Sequence, residues 1–311
     1  MGHRFHVVDV FATRRYAGNQ LAVVEDAGDL DRELMQRVAA EFDFSETTFV
    51  GAAPAVGDGD ECDPSGVDAS IFTPAAEIPF AGHPTLGTAH VVREALADET
   101  VDEVVLNLGV GPVPVEVERS GGAETLWMTQ QPPSFGEALA HEDLAAVLGL
   151  DAAALDDDWP VQVVSTGLPT IVVPLTDRRA LTAIEVDRDA YDRVTGERGA
   201  KNVLAFCPDP RSAENDLSVR VFAPFYGVPE DPATGSSNGC LAAYLARHRY
   251  FGGSSVTARV EQGYETGRPS LLELRAEDAG EAGEAGAADG GDAVSVEVGG
   301  QVVPVAEGTL L

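Results

Sequence analysis

The sequence predicts a mixed-sheet fold, α/β or α+β, made of two halves of similar layout, and three observations carry that expectation. Strand-type and helix-type patterns alternate along the 311 residues. The segment Phe72-Thr73-Pro74 … Ile78-Pro79 returns at an offset of 150 as Phe222-Ala223-Pro224 … Val228-Pro229, and each copy runs into a Gly/Ser/Thr-rich turn that opens an apolar helix. Gly18 followed by Ala22-Val23-Val24 is echoed by Gly167 followed by Ile171-Val172-Val173 at an offset of 149. Duplication of a strand, turn and helix unit accounts for both echoes. The polar residues differ between the copies, so function is expected where the two turns meet, at Ala81-Gly82-His83-Pro84-Thr85 and Asp231-Pro232-Ala233-Thr234-Gly235-Ser236.

In chain order, His6 to Val10 and Leu21 to Val24 read as a strand pair joined by Arg14 to Asn19, whose Gly-Asn supplies turn chemistry. Leu30, Leu34, Val38 and Phe42 recur at helical spacing, with Asp29 or Asp31 as the cap. Phe44 to Val50 returns to β-type residues, and period two places Glu46 on the same face as Phe44, Thr48 and Val50. Gly57 to Asp68 reads as a solvated acidic loop, lacking the ligand order of an EF-hand. Val101 to Leu108 and Val113 to Glu118 read as strands, and Ser120-Gly121-Gly122-Ala123 is the best linker, dividing the chain into 1–120 and 121–311; the last strand is allowed to pack back on the first half. The second half shows a helix near His141 to Leu148 and strands at Val161 to Ser165, Ile171 to Leu175, Asn202 to Cys207 and Leu217 to Phe222. Ala276 to Asp292 is low-complexity Ala/Glu/Gly/Asp and reads as a long surface loop between Leu271 to Leu274 and Val294 to Val298.

Acidic residues outnumber basic ones 52 to 20, giving a formal charge of −32, a field that repels nucleic acid and anionic lipid. Lys201 is the single lysine, and the carboxylates are scattered, as in proteins of salt-accumulating cytoplasms, where a Debye length of ~3 Å in 1 M salt screens self-repulsion. Cys62, Cys207 and Cys240 form no CxxC pair, which argues against a disulfide framework or a structural zinc site. Met1 to Val10 is a short alternating strand instead of a signal-peptide run, and no stretch approaches ~18 apolar residues; a soluble cytoplasmic protein is expected.

Two further features bear on chemistry. A Gly-rich helix entry exposes backbone N–H groups and about half a positive charge, so both turns suit an anionic substrate group. Ser236 or Ser237 is expected to cap the second helix, whose stripe contains Cys240, Leu241, Tyr244 and Leu245. Glu46, flanked by Phe44, Thr48 and Val50, is expected to be partly desolvated, which raises a carboxyl pKa toward values useful for moving protons.

The strings Val8-Asp9-Val10-Phe11 … Gly18-Asn19, Ser45-Glu46-Thr47-Thr48-Phe49-Val50, Phe72-Thr73-Pro74 … Gly82-His83-Pro84-Thr85-Leu86-Gly87-Thr88 and Glu230-Asp231-Pro232-Ala233-Thr234-Gly235-Ser236 resemble the phenazine-biosynthesis PhzF-like isomerase family over essentially the whole chain. The resemblance implies an α+β, diaminopimelate-epimerase-like fold: two pseudo-symmetric halves, each a mixed sheet wrapped around a central helix, with the site between them. It further implies a cofactor-free isomerase, commonly a homodimer, acting on a small carboxylate-bearing molecule. By motif, Glu46, Asp231 and His83 are the catalytic residues, Gly82, Ser236 and Gly235 bind substrate, and no metal is expected. The epimerase relatives place one cysteine at each helix entry; neither entry here holds one, which excludes two-thiol racemisation. Two alternatives stay open: an epimerase or racemase using Glu46 with Asp231 or His83, and a non-catalytic small-molecule-binding protein.

Overall fold

The structure, a computed structural model, describes residues 2–52, 63, 65–97, 101–280 and 294–311. Its contacts divide the chain into two units, Met1–Met128 with Gly299–Leu311, and Thr129–Val298. Among the described residues no helix is long and apolar enough to cross a membrane.

In the first unit, β1 (Arg4–Val10) pairs antiparallel with β2 (Asn19–Val24), and β2 runs parallel to β3 (Glu46–Val50). β4 (Val67–Phe72) is antiparallel to β3 and carries the two-residue β5 (Glu77–Ile78). β6 (Glu103–Leu108) lies parallel to β4, followed antiparallel by β7 (Gly111–Ser120) and β8 (Ala123–Thr129). The chain's last strand, β18 (Val302–Thr309), returns to pair antiparallel with β1. Two helices use the two faces of this sheet. Helix α1 (Arg32–Phe42) packs through Met35 and Ala39 against Val24, Phe49 and Phe72, and Asp31 caps it by accepting from the Leu34 N–H at 2.7 Å. Helix α2 (Gly82–Val91) touches β1, β2, β3, β6, β7 and β18. It is buried almost all round, as a helix without a polar face must be. A Cβ on Gly87 would sit 2.5 Å from Leu21 Cδ2 and 2.8 Å from Val10 Cγ2, so the helix approaches β1 and β2 at a distance only glycine allows. One π-helical turn, Val92–Leu96, extends α2 and buries Arg93, which forks onto Glu124 at 2.9 and 2.8 Å.

The second unit repeats the plan. β9 (Ser134–Leu139), β10 (Val161–Ser165) and β11 (Thr170–Pro174) pair antiparallel in turn, after which β11 runs parallel to β12 (Asn202–Cys207). β12 is antiparallel to β13 (Leu217–Ala223), which carries the short β14 (Val228–Asp231) and lies parallel to β15 (Ser255–Gln262). β16 (Ser270–Asp278) is antiparallel to β15, and β17 (Val294–Gly300) follows later in the chain. The order of pairing senses from β18 to β7 is that from β9 to β16: antiparallel, antiparallel, parallel, antiparallel, parallel, antiparallel. Helices α3 (His141–Leu148), α4 (Arg178–Thr182) and α5 (Arg188–Thr195) share a core containing Leu144, Leu148, Leu181 and Tyr191. Helix α6 (Gly235–Arg247) packs on β10, β11, β12, β15 and β16, and is buried from Ser237 to Ala246.

Several expectations change in detail. Ser120 to Ala123 is a tight hairpin between β7 and β8, not a linker: Gly121 and Gly122 both take positive φ, at 61° and 86°, the signature of a two-residue type I′ turn. The unit boundary falls at 128/129 and again at 298/299. The sequence echo is structural as far as Pro224 and then slips. β4 pairs Ile71 with Ile78, whereas β13 pairs Val221 with Asp231, so the ladder equates Ile78 with Asp231 instead of Val228. The second copy therefore carries three extra residues between strand and helix, in keeping with helix starts at Gly82 and Gly235. Asp68 belongs to β4, not to a solvated loop, and its carboxylate accepts from Asn107. Most of the remaining acidic loop, Cys62 and most of Ala276 to Asp292 lie outside the described residues.

Candidate active site

In the first unit, Glu46, Gly82 and His83 come together. Glu46 is the first residue of β3, opposite Leu21 of the parallel neighbour. Helix α2 begins one strand-hairpin later, and its N-cap, Ala81, has an extended backbone and no side chain able to cap. The N–H groups of Gly82 and His83 therefore meet no capping side chain. Thr85 donates its hydroxyl to the Ala81 carbonyl at 2.7 Å and tightens this entry.

The His83 ring is buried, with Nε2 3.3 Å from the Gln20 carbonyl oxygen and 3.4 Å from Glu46 Oε2. A carbonyl only accepts, so Nε2 carries a proton. Burial pulls the imidazole down to about 3, against a smaller opposing effect of the Gln20 carbonyl, and the ring is neutral at physiological pH. The contact with Glu46 is thus one between a neutral N–H donor and a carboxyl group, in a site where the Glu46 side chain is 17% exposed.

In the second unit, Asp231 ends β14, four residues before α6. Its carboxylate Oδ2 accepts from the Thr234 hydroxyl, and its backbone carbonyl accepts from Gln262 Nε2 at 2.8 Å. Ser236 lies in the first turn of α6 beside Gly235. Neither Ser236 nor Ser237 caps the helix: the N-cap is Thr234, which is extended and whose hydroxyl is turned to Asp231. Ser237 instead points into the interior, with its Oγ 3.0 Å from Thr170 Oγ1 and accepting from Asn202 Nδ2 at 3.2 Å. Cys240 is buried near Thr166 and Leu168, and burial raises its thiol pKa, which makes it an inert space-filler. Sequence reasoning passed over Gln20, Thr234 and Gln262. The first is named only by its backbone carbonyl, which carries no residue signal. Thr234 lies within the Asp231 to Ser236 turn that the sequence singles out, and Gln262 stands out only once strand register is known.

Two repeats of one plan, each a mixed sheet around a buried helix with an uncapped N-terminus, define the diaminopimelate-epimerase-like class of α+β isomerase folds. The phenazine biosynthesis-like protein family, PhzC-PhzF, matches residues 8–308, and the chain belongs to this family and is an isomerase of it. The chain is 37% identical over 304 residues, 95% of its length and 98% of the relative's, to trans-2,3-dihydro-3-hydroxyanthranilate isomerase of Pseudomonas aeruginosa. A Bacillus anthracis phenazine biosynthesis protein of the PhzF family superposes with a TM-score of 0.86 at 24% identity, covering 100% of this chain and 99% of that one. A structure described as a predicted epimerase from Pseudomonas aeruginosa gives 0.76 at 32% identity, with 99% of each chain covered.

Proposed function

We propose that this isomerase moves a proton between two carbons of a small carboxylate-bearing substrate by acid/base catalysis, with Glu46 as the shuttle and no cofactor. The contact of 3.4 Å between Glu46 and the neutral His83 carries the reading. Glu46 takes the proton from carbon; the electron pair left behind is delocalised into the conjugated substrate, and the same carboxyl returns the proton at the other end. His83 Nε2–H can donate to Glu46 when it is ionised and to charge that develops on the substrate. The N–H groups at Gly82 in the first unit, and those at Gly235 and Ser236 in the second, each suit an anionic group, since uncapped helix entries stabilise anions. Asp231 is assigned to the same substrate as an acid/base or hydrogen-bonding partner.

The substrate of the Pseudomonas aeruginosa relative, by its name, is trans-2,3-dihydro-3-hydroxyanthranilate, and that compound is the probe. If the reading holds, substrate deuterated at the carbon that is deprotonated passes that label to a different carbon, and any deuterium that enters from D2O, by exchange at the Glu46 carboxyl, enters at that different carbon as well. Deuterium at the original carbon with inversion indicates an epimerase, and Glu46→Gln that binds the probe with no exchange in either protein indicates a binding protein. A homodimer in a salt-rich cytoplasm is the setting we infer from the resemblance and the charge of −32; a single protomer in sedimentation at molar KCl, or an unfolding midpoint indifferent to KCl, would remove it.

A further inference from the structure

Gln262, buried at the end of β15, has every hydrogen-bonding position of its amide occupied. Its Oε1 accepts from Asn238 Nδ2 at 2.8 Å and from the Thr234 N–H at 3.3 Å. Its Nε2 donates to the Asp231 carbonyl at 2.8 Å and to Thr234 Oγ1 at 3.2 Å. Two obligate donors on one side and an obligate acceptor on the other leave the amide a single orientation. Asn238, also buried, is held in turn by donating to the Thr234 carbonyl at 3.0 Å. Since the threonine oxygen already accepts from Gln262, its own proton is directed at Asp231 Oδ2, the acceptor beside it.

We propose that Gln262 and Thr234 are positioning residues of the active site: a relay of donors, amide to hydroxyl to carboxylate, that fixes the rotamer of Asp231 and favours its ionised form. The inference rests on the reading of Asp231 as a site residue. The fold itself does not require the relay. Strand register equates Gln262 with Leu108 and Asp231 with Ile78, and the N-cap Thr234 with Ala81, so the first unit builds the same strand, turn and helix with apolar side chains at all three places. The charged groups nearest in sequence are engaged elsewhere: Glu230 forks onto Arg220, and Glu261 accepts from the Arg211 and Ser212 N–H groups.

The test follows the 13C carboxyl resonance of Asp231, assigned by its loss in Asp231→Asn, through a pH titration, alongside turnover of trans-2,3-dihydro-3-hydroxyanthranilate. In Thr234→Val the resonance should titrate at higher pH and the acid limb of kcat should move the same way. Thr234→Ser, which keeps the hydroxyl, should restore both. Gln262→Met, which leaves the threonine proton undirected, should move the titration in the same direction by less. A wild-type titration in both Thr234→Val and Gln262→Met overturns the relay. Full turnover in Asp231→Asn overturns instead the reading of Asp231 on which it rests, and the resonance still reports the relay without any substrate.

Discussion

Residue 46 in the first unit and residue 202 in the second occupy the same register position, opposite Leu21 and Thr170 respectively, yet one is a glutamate facing a buried histidine and the other an asparagine bonded to Ser237. The pattern continues across both sheets. Asn107 and Glu261 are register equivalents, each buried, and each pins the segment that leads into the parallel neighbouring strand: Asn107 binds the backbone of Asp63, before β4, and Glu261 the backbone of Arg211 and Ser212, before β13. One position further, Leu108 and Gln262 diverge. A duplicated scaffold thus retains its polar anchors where backbone would otherwise go unbonded, and changes residue type around the helix entries, where chemistry is done.

The largest expected effect separates residue 46 from its counterpart. Glu46→Gln keeps the shape and removes the exchangeable acid, so turnover should fall by about 10²–10⁴-fold with the fold intact. Asn202→Ala should cost about 1–2 kcal/mol in urea unfolding by removing one of the two hydrogen bonds of the buried Ser237 hydroxyl, with turnover per folded molecule within a few-fold of wild type. Equal losses of activity in the two variants would end the distinction drawn here between a chemical and a structural position.

The two anchors provide the next test. Glu261 accepts from two backbone N–H groups, from Asn215 Nδ2 at 2.7 Å and from Ser218 Oγ at 3.4 Å. Glu261→Gln turns one acceptor into a donor facing donors and should cost about 2–4 kcal/mol. An unchanged urea midpoint would show that the anchor is dispensable. Helix approach gives a smaller contrast. Gly87→Ala must displace Leu21 and Val10 and should cost about 1–3 kcal/mol, whereas Cys240→Ala, at the matching position of α6, removes one sulfur from a packed site and should cost no more than about 1.5 kcal/mol.

Much of this was legible in the residues. The cap at Asp31, one of the two candidates, the helix from His141, and the strands at 161–165 and 202–207 stand where local pattern puts them, because capping and periodicity are local effects, whereas Leu34 of the apolar stripe is exposed. The Gly121-Gly122 turn misled because glycine pairs serve linkers and type I′ hairpins alike, and only the strand partner decides. Proline echoes at Pro79 and Pro229 suggested equivalence that the ladder denies, since a three-residue insertion is invisible until hydrogen-bond register is known. Gln262 carried no signal of its own: a glutamine ending a strand is ordinary, and its four hydrogen bonds all reach back to one stretch, Asp231 to Asn238, distant in sequence.

The last contrast concerns protons. His83 begins the second residue of α2, and Ser236 takes that place in α6. The folded protein holds the His83 ring neutral down to about 3, chiefly through burial, while an unfolded histidine takes up a proton near 6.5. Between those two values the unfolded chain binds more protons than the folded one, so unfolding free energy should rise with pH across that window, by up to about 1.4 kcal/mol per pH unit from this group, and lose the dependence above 6.5. Burial lowers His90 and His248 as well, with the same sign, so wild type alone does not isolate the effect. The difference between wild type and His83→Gln does, and it should flatten the slope between pH 4 and 6 while Ser236→Ala leaves it as it was. Parallel slopes in all three proteins would mean that the ring gains its proton without resisting the fold, and the neutral donor beside Glu46 would have to be given up.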